Sequence, residues 1–291
     1  MNEPRMTGSG PVVPRGLAER AREISDGRLA PAVPRDAATV ILIREDAVGI
    51  EAFLLRRTAE LEFAPGAYVF PGGSVDARDA DPGVGWAGPG PADFAALLDV
   101  SPDRARALVC AAVRETFEES GVLLAGPSQD ELAGDSTVLA ADRHALLTGS
   151  ASLAEVLGRR GLILRTDLLT PWARWITPEV SPRRFDTWFF AAAMPPGQTA
   201  TAAPEGFADH ADPGESESGT WMRPAAALEA SRAGQITLLP PTAVTLGELA
   251  GHPGLAAILA RRQVITPRLP KVVVEDGQVR LHLPQGGEER P

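Results

Sequence analysis

Glu115, Glu118 and Glu119 stand at i, i+3 and i+4 directly after Arg114, in the run Arg-Glu-Thr-Phe-Glu-Glu-Ser-Gly-Val of residues 114–122. On a helix this spacing puts three carboxylates on one face. Like charges that close repel each other, and a divalent cation held through oxygen relieves the repulsion. The plain alternative is a solvated helix face, which would carry interleaved Lys or Arg; here only Arg114 is present. Upstream, Phe70-Pro71-Gly72-Gly73 ends an apolar run. Glycines at such a turn let a carbonyl or a phosphate come close to the backbone. Metal and phosphate chemistry together account for both segments.

The elements that must hold these groups follow from the pattern. Residues 38–44 and 49–56 are apolar and rich in β-branched side chains, two strands joined as a hairpin. Residues 67–70 are a short third strand entering the Gly-Gly turn. Ser101-Pro102-Asp103 starts a helix, with Ser as cap and Pro in the first turn, and Gly121 ends it. Val109, Cys110, Val113, Thr116 and Phe117 make its apolar side, opposite the glutamates. The Gly/Pro-rich stretch 80–102, with one helical piece over Asp93–Leu98, reads as a surface excursion, and 125–170 as a second, helical insertion or lid. Residues 184–192 read as a strand, 200–219 as loop, 225–232 and 240–262 as helical. A terminal hairpin over 271–283 turns at Asp276-Gly277. Residues 1–35 read as a flexible N-terminal arm. The expected organisation is that arm, one domain over 36–265 with insertions at 80–102 and 125–170, and a C-terminal hairpin and tail over 266–291.

Composition narrows the function. With 44% hydrophobic residues in 291, a full core can be buried. The net charge of −10 argues against a nucleic-acid duplex as partner, while a small anionic substrate needs only local Arg residues or a metal. The single cysteine, Cys110, rules out an intrachain disulfide and points to a reducing, cytoplasmic setting. No apolar run is long enough to span a membrane, the polar N-terminus does not read as a secretory signal, and the C-terminus does not read as a peroxisomal address. His144, His210, His252 and His282 lack the spacing of zinc ligands.

The two chemical segments together resemble the Nudix box, G-x5-E-x7-R-E-U-x-E-E-x-G-U, with U a bulky apolar residue. Gly73, Arg114, Glu115, Glu118, Glu119, Gly121 and Val122 match it. Asp79 replaces the first Glu, Thr116 replaces an aliphatic residue, and residues 80–113 separate Asp79 from Arg114 where the pattern has seven, an insertion of 27. An interrupted box followed by Trp175-Ile176-Thr177-Pro178-Glu179 and by residues 183–190 resembles the coenzyme A diphosphatase subgroup of the family. The resemblance implies an α/β fold, the Nudix α/β/α sandwich with a mixed sheet and helical insertions. It implies Mg2+ or Mn2+ held by Glu115, Glu118, Glu119 and the Gly72 carbonyl, with Glu115, Glu119 and Arg114 as the catalytic set. The metals would bridge a diphosphate, neutralise it and acidify a water for in-line attack. Arg114 is expected to orient Glu118. An extra general base is sought among Glu179, Glu215 and Glu217, with Glu217 favoured.

For substrate, Leu54, Leu55, Gly66 and residues 70–73 match a coenzyme A signature, L-L-T-x-R-S-x3-R-x3-G-x3-F-P-G-G. Arg57-Thr58 match its Arg-Ser loosely, and Glu62 replaces its second Arg. Arg57, Arg183, Arg184 and Gly73 are the substrate-binding candidates. The implied reaction converts coenzyme A or acyl-CoA to 4′-phosphopantetheine, or its acyl form, and adenosine 3′,5′-bisphosphate. The alternatives are an ADP-ribose or NADH pyrophosphatase and a non-catalytic Nudix-fold ligand sensor. The expected partner is a small nucleotide, with no nucleic acid and no membrane, and a homodimer stays open.

Overall fold

One strand sets the layers. Along Arg35–Asp46, Ala38, Val40 and Leu42 enter one hydrophobic core, and Ile41 and Ile43 enter another. A strand buried on both faces has to be central, with cover on each side. The computed structural model describes residues 15–58, 65–134, 136–203, 216–275 and 278–282.

In chain order the first strands are β1 (Arg35–Asp46), β2 (Gly49–Arg57), β3 (Ala67–Val69), β4 (Gly72–Ser74), β5 (Trp86–Ala87), β6 (Ala125–Gly126) and β7 (Ile163–Arg165). They are followed by β8 (Thr170–Ile176), β9 (Phe185–Ala193), β10 (Ser216–Met222), β11 (Thr237–Leu238), β12 (Pro267–Arg268), β13 (Lys271–Glu275) and β14 (Gln278–His282). The helices are α1 (Arg15–Ser25), α2 (Pro91–Leu98), α3 (Pro102–Ser120), α4 (Ala140–Leu147), α5 (Leu153–Arg160), α6 (Pro224–Arg232), α7 (Pro240–Ala250) and α8 (Leu255–Leu259).

The main sheet runs β11-β3-β2-β1-β9-β8-β12, with β10 added to β2 and β4 to β1. It is mixed: β1 is parallel to β9 and antiparallel to β2. Helices α2 and α3 cover the face of Val40, Leu42, Phe53, Trp188 and Phe190. Helices α6, α7 and α8 cover the face of Ile41, Leu54, Trp172 and Phe189 through Ala227, Leu246, Leu249 and Ile258. The expected α/β/α sandwich is what forms. Among the described residues, no helix is long and apolar enough to cross a membrane.

The stretch 80–102 is not a surface excursion. Its α2 buries Phe94 and Leu98, one turn apart, and the Phe94 ring meets Phe190 edge-on at 6.2 Å between centroids. The two insertions are also one structure: β5 pairs with β7 and β7 with β6 in a separate three-stranded sheet. The described part of the N-terminal arm is attached rather than loose. Ala18 is buried, Arg20 Nε donates to the Val180 carbonyl, and Arg184 donates to the Ala32 carbonyl. Sequence reading assigned 216–219 to a loop and overlooked β8. Pro171 obscured β8 because it lacks a ladder N–H, and it sits at a register shift in the β8–β9 pairing. At the other end β12 joins the main sheet on β8, while β13 and β14 pair with each other; the turn at Asp276-Gly277 lies outside the described residues.

Because α2 is core, Phe94→Ala should lower unfolding stability by about 3 kcal/mol, the usual cost of emptying a buried aromatic site. Urea denaturation with an unchanged m-value measures it. A loss below about 1 kcal/mol would restore the reading of 80–102 as an excursion.

Candidate functional site

Helix α3 carries the carboxylates, and its ends are fixed as the sequence implies. Ser101 Oγ accepts from the Arg104 amide at 3.3 Å, and Gly121 closes the helix in the left-handed region at φ 71°. Leu108, Val109, Val113, Thr116 and Phe117 are fully buried on one side. Thr116 is tolerated there because its hydroxyl donates to the Ala112 carbonyl at 2.7 Å, so no polar atom is stranded in the core. Cys110 is core as well, and burial pushes its thiol up to about 12, which leaves it unreactive.

Arg114 gathers the acids. Its Nε and Nη2 reach the two oxygens of Asp79, each at 2.9 Å. Its Nη1 reaches Glu115 at 2.9 Å and Glu118 at 3.1 Å, and Nη2 also donates to the Ser74 carbonyl at 2.9 Å. Asp79, only 3% exposed, is held from its other side by the Asp76 amide, which donates to it at 2.8 Å in a short capped turn. Asp therefore serves where the box has Glu, because the turn over Ala77–Ala80 brings the shorter side chain to Arg114.

The glycine turn meets the same helix. Strand β4 pairs with β1 through Gly72 and Gly73, opposite Thr39 and Ala38. The Gly72 amide donates to Glu119 Oε2 at 2.7 Å. A Cβ at Gly73 would overlap the Glu115 carboxylate, and one at Gly72 would come within 2.6 Å of the Ala38 carbonyl. Gly72 requires glycine for close approach to the β1 backbone rather than for backbone freedom, while at Gly73 a side chain would have to displace the Glu115 carboxylate.

Burial pushes the Glu115 carboxyl up to about 8; Arg114 opposes this and Glu118 adds to it. Burial raises Glu118 too, again against Arg114. For Arg114, burial disfavours the charge, but Glu115, Asp79 and Glu118 outweigh it and raise its pKa. The cluster therefore holds more carboxylates than its guanidinium can neutralise.

A divalent metal fits these donors in kind. All are oxygens, and hard cations select oxygen sets. Among the described residues, however, no three acids already converge as a ligand group. The bonds above give the reason: Arg114 draws Glu115 and Glu118 to itself, and Glu119 turns to the Gly72 amide. Charge and donor type favour the cation, and taking it up requires these side chains to turn.

The other candidates fall in different places. Arg57 ends β2 beside β3, the strand that leads into the glycine turn, and its carbonyl accepts from the Gly66 amide. Arg183 is exposed just before β9. Arg184 needs correction as a substrate contact: it is 8% exposed, and its guanidinium donates to the Thr177 and Ala32 carbonyls. Both precede the Phe185–Arg35 pair, three residues or roughly 10 Å before the level of Gly73 and Ala38. Glu179 is exposed; Glu62, Glu215 and the Glu217 side chain lie outside the described residues. Sequence reading missed Arg143, whose Nε donates to the Glu118 carbonyl at 2.9 Å, and Gln198, which bonds both the amide and the carbonyl of Leu123 just after α3. Neither belongs to a motif.

With fold and site described, the likeness to known proteins is specific. A NUDIX hydrolase structure from Alicyclobacillus acidocaldarius superposes with a TM-score of 0.60 at 26% identity, covering 81% of this chain and 99% of that one. A family model described as the NUDT19 Nudix domain matches residues 92–249, more than half of the chain, and the chain belongs to that family. The match includes α3 and begins after Gly72, Gly73 and Asp79. An acyl-coenzyme A diphosphatase NUDT19 from Xenopus laevis is 28% identical over 235 residues, 68% of this chain and 59% of that protein. The protein of that name from Homo sapiens is 30% identical over 251 residues, 72% of this chain and 63% of that protein. The chain thus spans about three fifths of the length of these relatives.

The raised Glu115 pKa predicts how stability depends on pH. Its folded value of about 8 exceeds the ordinary 4.5, so its contribution is complete below about pH 4.5 and is lost as pH rises towards 8. In metal-free protein, Glu115→Gln should therefore gain in Tm relative to the native chain between about pH 5 and pH 8.5. Added Mg2+ should raise the native Tm more at the upper pH, because binding requires the carboxylate. Thermal scans with and without EDTA measure both, and a pH-independent difference between the two chains would refute the assignment.

Proposed function

We propose that this chain hydrolyses the diphosphate bond of coenzyme A or an acyl-CoA, with Mg2+ or Mn2+ as cofactor, releasing 4′-phosphopantetheine or its acyl form and adenosine 3′,5′-bisphosphate. The observation that carries the chemistry is the surplus of buried carboxylates on α3, packed against the Gly72–Gly73 turn. The substrate half is supported by the names of the relatives, acyl-coenzyme A diphosphatases.

In this reading Glu115, Glu118, Glu119 and the Gly72 carbonyl hold the cation. When bound, it supplies charge neutralisation on the diphosphate and lowers the pKa of water. Arg114, fixed by Asp79, keeps Glu115 and Glu118 in place and is a positioning residue rather than a contact to substrate. Gly73 lies against the Glu115 carboxylate, so a phosphate comes close to the backbone there only when that carboxylate turns to a cation. Arg57 is the favoured cation for the nucleotide, Arg183 is the weaker candidate, and Glu217 remains the proposed extra base. The single cysteine and the acidic balance support a cytoplasmic enzyme that acts on a small nucleotide rather than a nucleic acid. A dinucleotide such as ADP-ribose or NADH is the second reading. It is favoured by one observation: Arg184 is committed to backbone carbonyls and so is not available for a 3′-phosphate.

Glu119→Gln should lower kcat by roughly a thousandfold or more, with the circular-dichroism spectrum unchanged, because a lost ligand removes several kcal/mol of charge stabilisation. A kcat within about threefold of the native value would remove metal chemistry from this helix.

Substrate choice is tested with coenzyme A and its 3′-dephospho form. A higher kcat/KM for coenzyme A, diminished in Arg57→Ala, is expected from a charge-assisted Arg–phosphate contact. Equal values in the native protein would mean the 3′-phosphate is not read, and the dinucleotide reading would then lead.

A further inference from the structure

Glu119 is the member of the acidic cluster that Arg114 does not hold. The five bonds of Arg114 run to Asp79, Glu115, Glu118 and the Ser74 carbonyl. Glu119 also lies in the last turn of α3, where the helix dipole disfavours an acid and favours a cation. The carbonyls of that turn have no partners within the helix.

Arg143 answers these needs together. It lies on α4, inside the second insertion, 25 residues beyond Glu118. Its Nε donates to the Glu118 carbonyl at 2.9 Å. Its Nη2 donates to the Thr201 carbonyl at 3.0 Å, and its Nη1 to Thr201 Oγ1 at 3.3 Å. The Thr201 amide donates in turn to the Ser120 carbonyl at 2.8 Å. A closed set of bonds thus joins α4, the last turn of α3 and the segment after β9. The room comes from Gly121, where a Cβ would stand 2.9 Å from Arg143 Nη1. The guanidinium is partly buried; burial lowers its pKa, and the Glu119 carboxylate opposes this without reversing it.

We propose that Arg143 is a positioning residue for the metal-binding end of α3: through the Glu118 carbonyl and Thr201 it holds the last turn of the helix, from which Glu118 and Glu119 project, and it places a cation at the helix C-terminus, where the dipole favours one. This rests on the metal-dependent reading given above and assigns the helical insertion a part in it. The insertion anchors the turn of α3 that carries Glu118 and Glu119.

The test uses the full chain with Arg143→Ala, Arg143→Lys and Arg143→Gln. Mn2+ affinity is measured by calorimetry, kcat and KM on the diphosphate substrate, and amide hydrogen exchange across residues 116–121. Arg143→Ala is expected to weaken Mn2+ binding about tenfold, the usual size for loss of a residue that supports a ligand. It should lower kcat with little change in KM and speed exchange in that turn. Arg143→Lys should recover most of the Mn2+ affinity, because a cation again meets the carbonyls at the C-terminal end of α3, while Arg143→Gln should not. A lower Tm with native Mn2+ affinity and kcat would overturn the proposal, and so would a change in KM alone, which would mark a substrate contact. If Arg143→Ala does not fold, the Lys and Gln pair decides, and equal affinities in the two would refute the charge role. Failure of the metal reading looks different: the native chain and Glu119→Gln would then bind Mn2+ alike. Exchange at 116–121 would still show whether Arg143 orders the turn, and unchanged exchange in Arg143→Ala would overturn that part.

Discussion

The site depends on one guanidinium. Arg114 has five N–H donors, and the structure gives it five bonds, to both oxygens of Asp79, to Glu115, to Glu118 and to the Ser74 carbonyl. Those partners come from two segments far apart in sequence. The arginine therefore fixes the loop over residues 74–79 against the last turns of α3, and the Gly72 amide adds a second link through Glu119. A lysine could not do this, since three donors on a point charge cannot match a planar fork with acceptors on several sides. Its partners are acids in excess, so the arrangement that positions the carboxylates also leaves them incompletely neutralised. Burial then pushes Glu115 up to about 8. Organisation of the site and its demand for further positive charge have the same source.

The long interval between the halves of the motif costs little because loop-closure entropy grows slowly with length. The chain also uses the interval for structure. Helix α2 adds Phe94 and Leu98 to the core beside α3. The first insertion meets the second through β5, β7 and β6, and the Thr166 hydroxyl donates to the Ala87 and Pro89 carbonyls. Gly88, at φ 97°, is needed there: a side chain would run into the Asp167 backbone. The added sheet and helices support the helix that bears the acids, and a surface loop of equal length would not.

How much was legible in the sequence depends on how local the signal is. Strand β1 and helix α3 announce themselves by periodicity and caps, so the face carrying Glu115, Glu118 and Glu119 could be read directly, while the sandwich followed from the resemblance to the Nudix box. Strand β8 was hidden by Pro171; the helical piece over 93–98 was visible, but flanking glycines and prolines hid its burial, though Phe94 and Leu98 at i, i+4 were the available clue. Arg184 shows the limit for charges. An arginine before a strand looks the same whether it meets a phosphate or two backbone carbonyls, and only the fold tells these apart. Asp79 was placed by the motif but not explained by it, because its role depends on a capped turn that brings a shorter acid to Arg114. Arg143 left no trace at all, since two of its three acceptors are backbone oxygens that every residue type offers.

Local preference and global fold disagree at the end of α3. Acids there oppose the helix dipole, repel one another and lie partly buried, so each consideration taken separately would select other residues. Natural sequences are otherwise consistent across these levels, and a concentrated conflict marks a place where function outweighs stability. Here the compensations can be named: Arg114 within the helix, the Gly72 amide across the turn, Gly121 at the cap and the bonds linking Ser120 to Thr201. None of them removes the excess negative charge; they hold it in one place. A solvated helix face would spread such charge into water, whereas this one keeps it packed against two glycines. The geometry is therefore better explained by what the acids must hold than by anything they contribute to the fold.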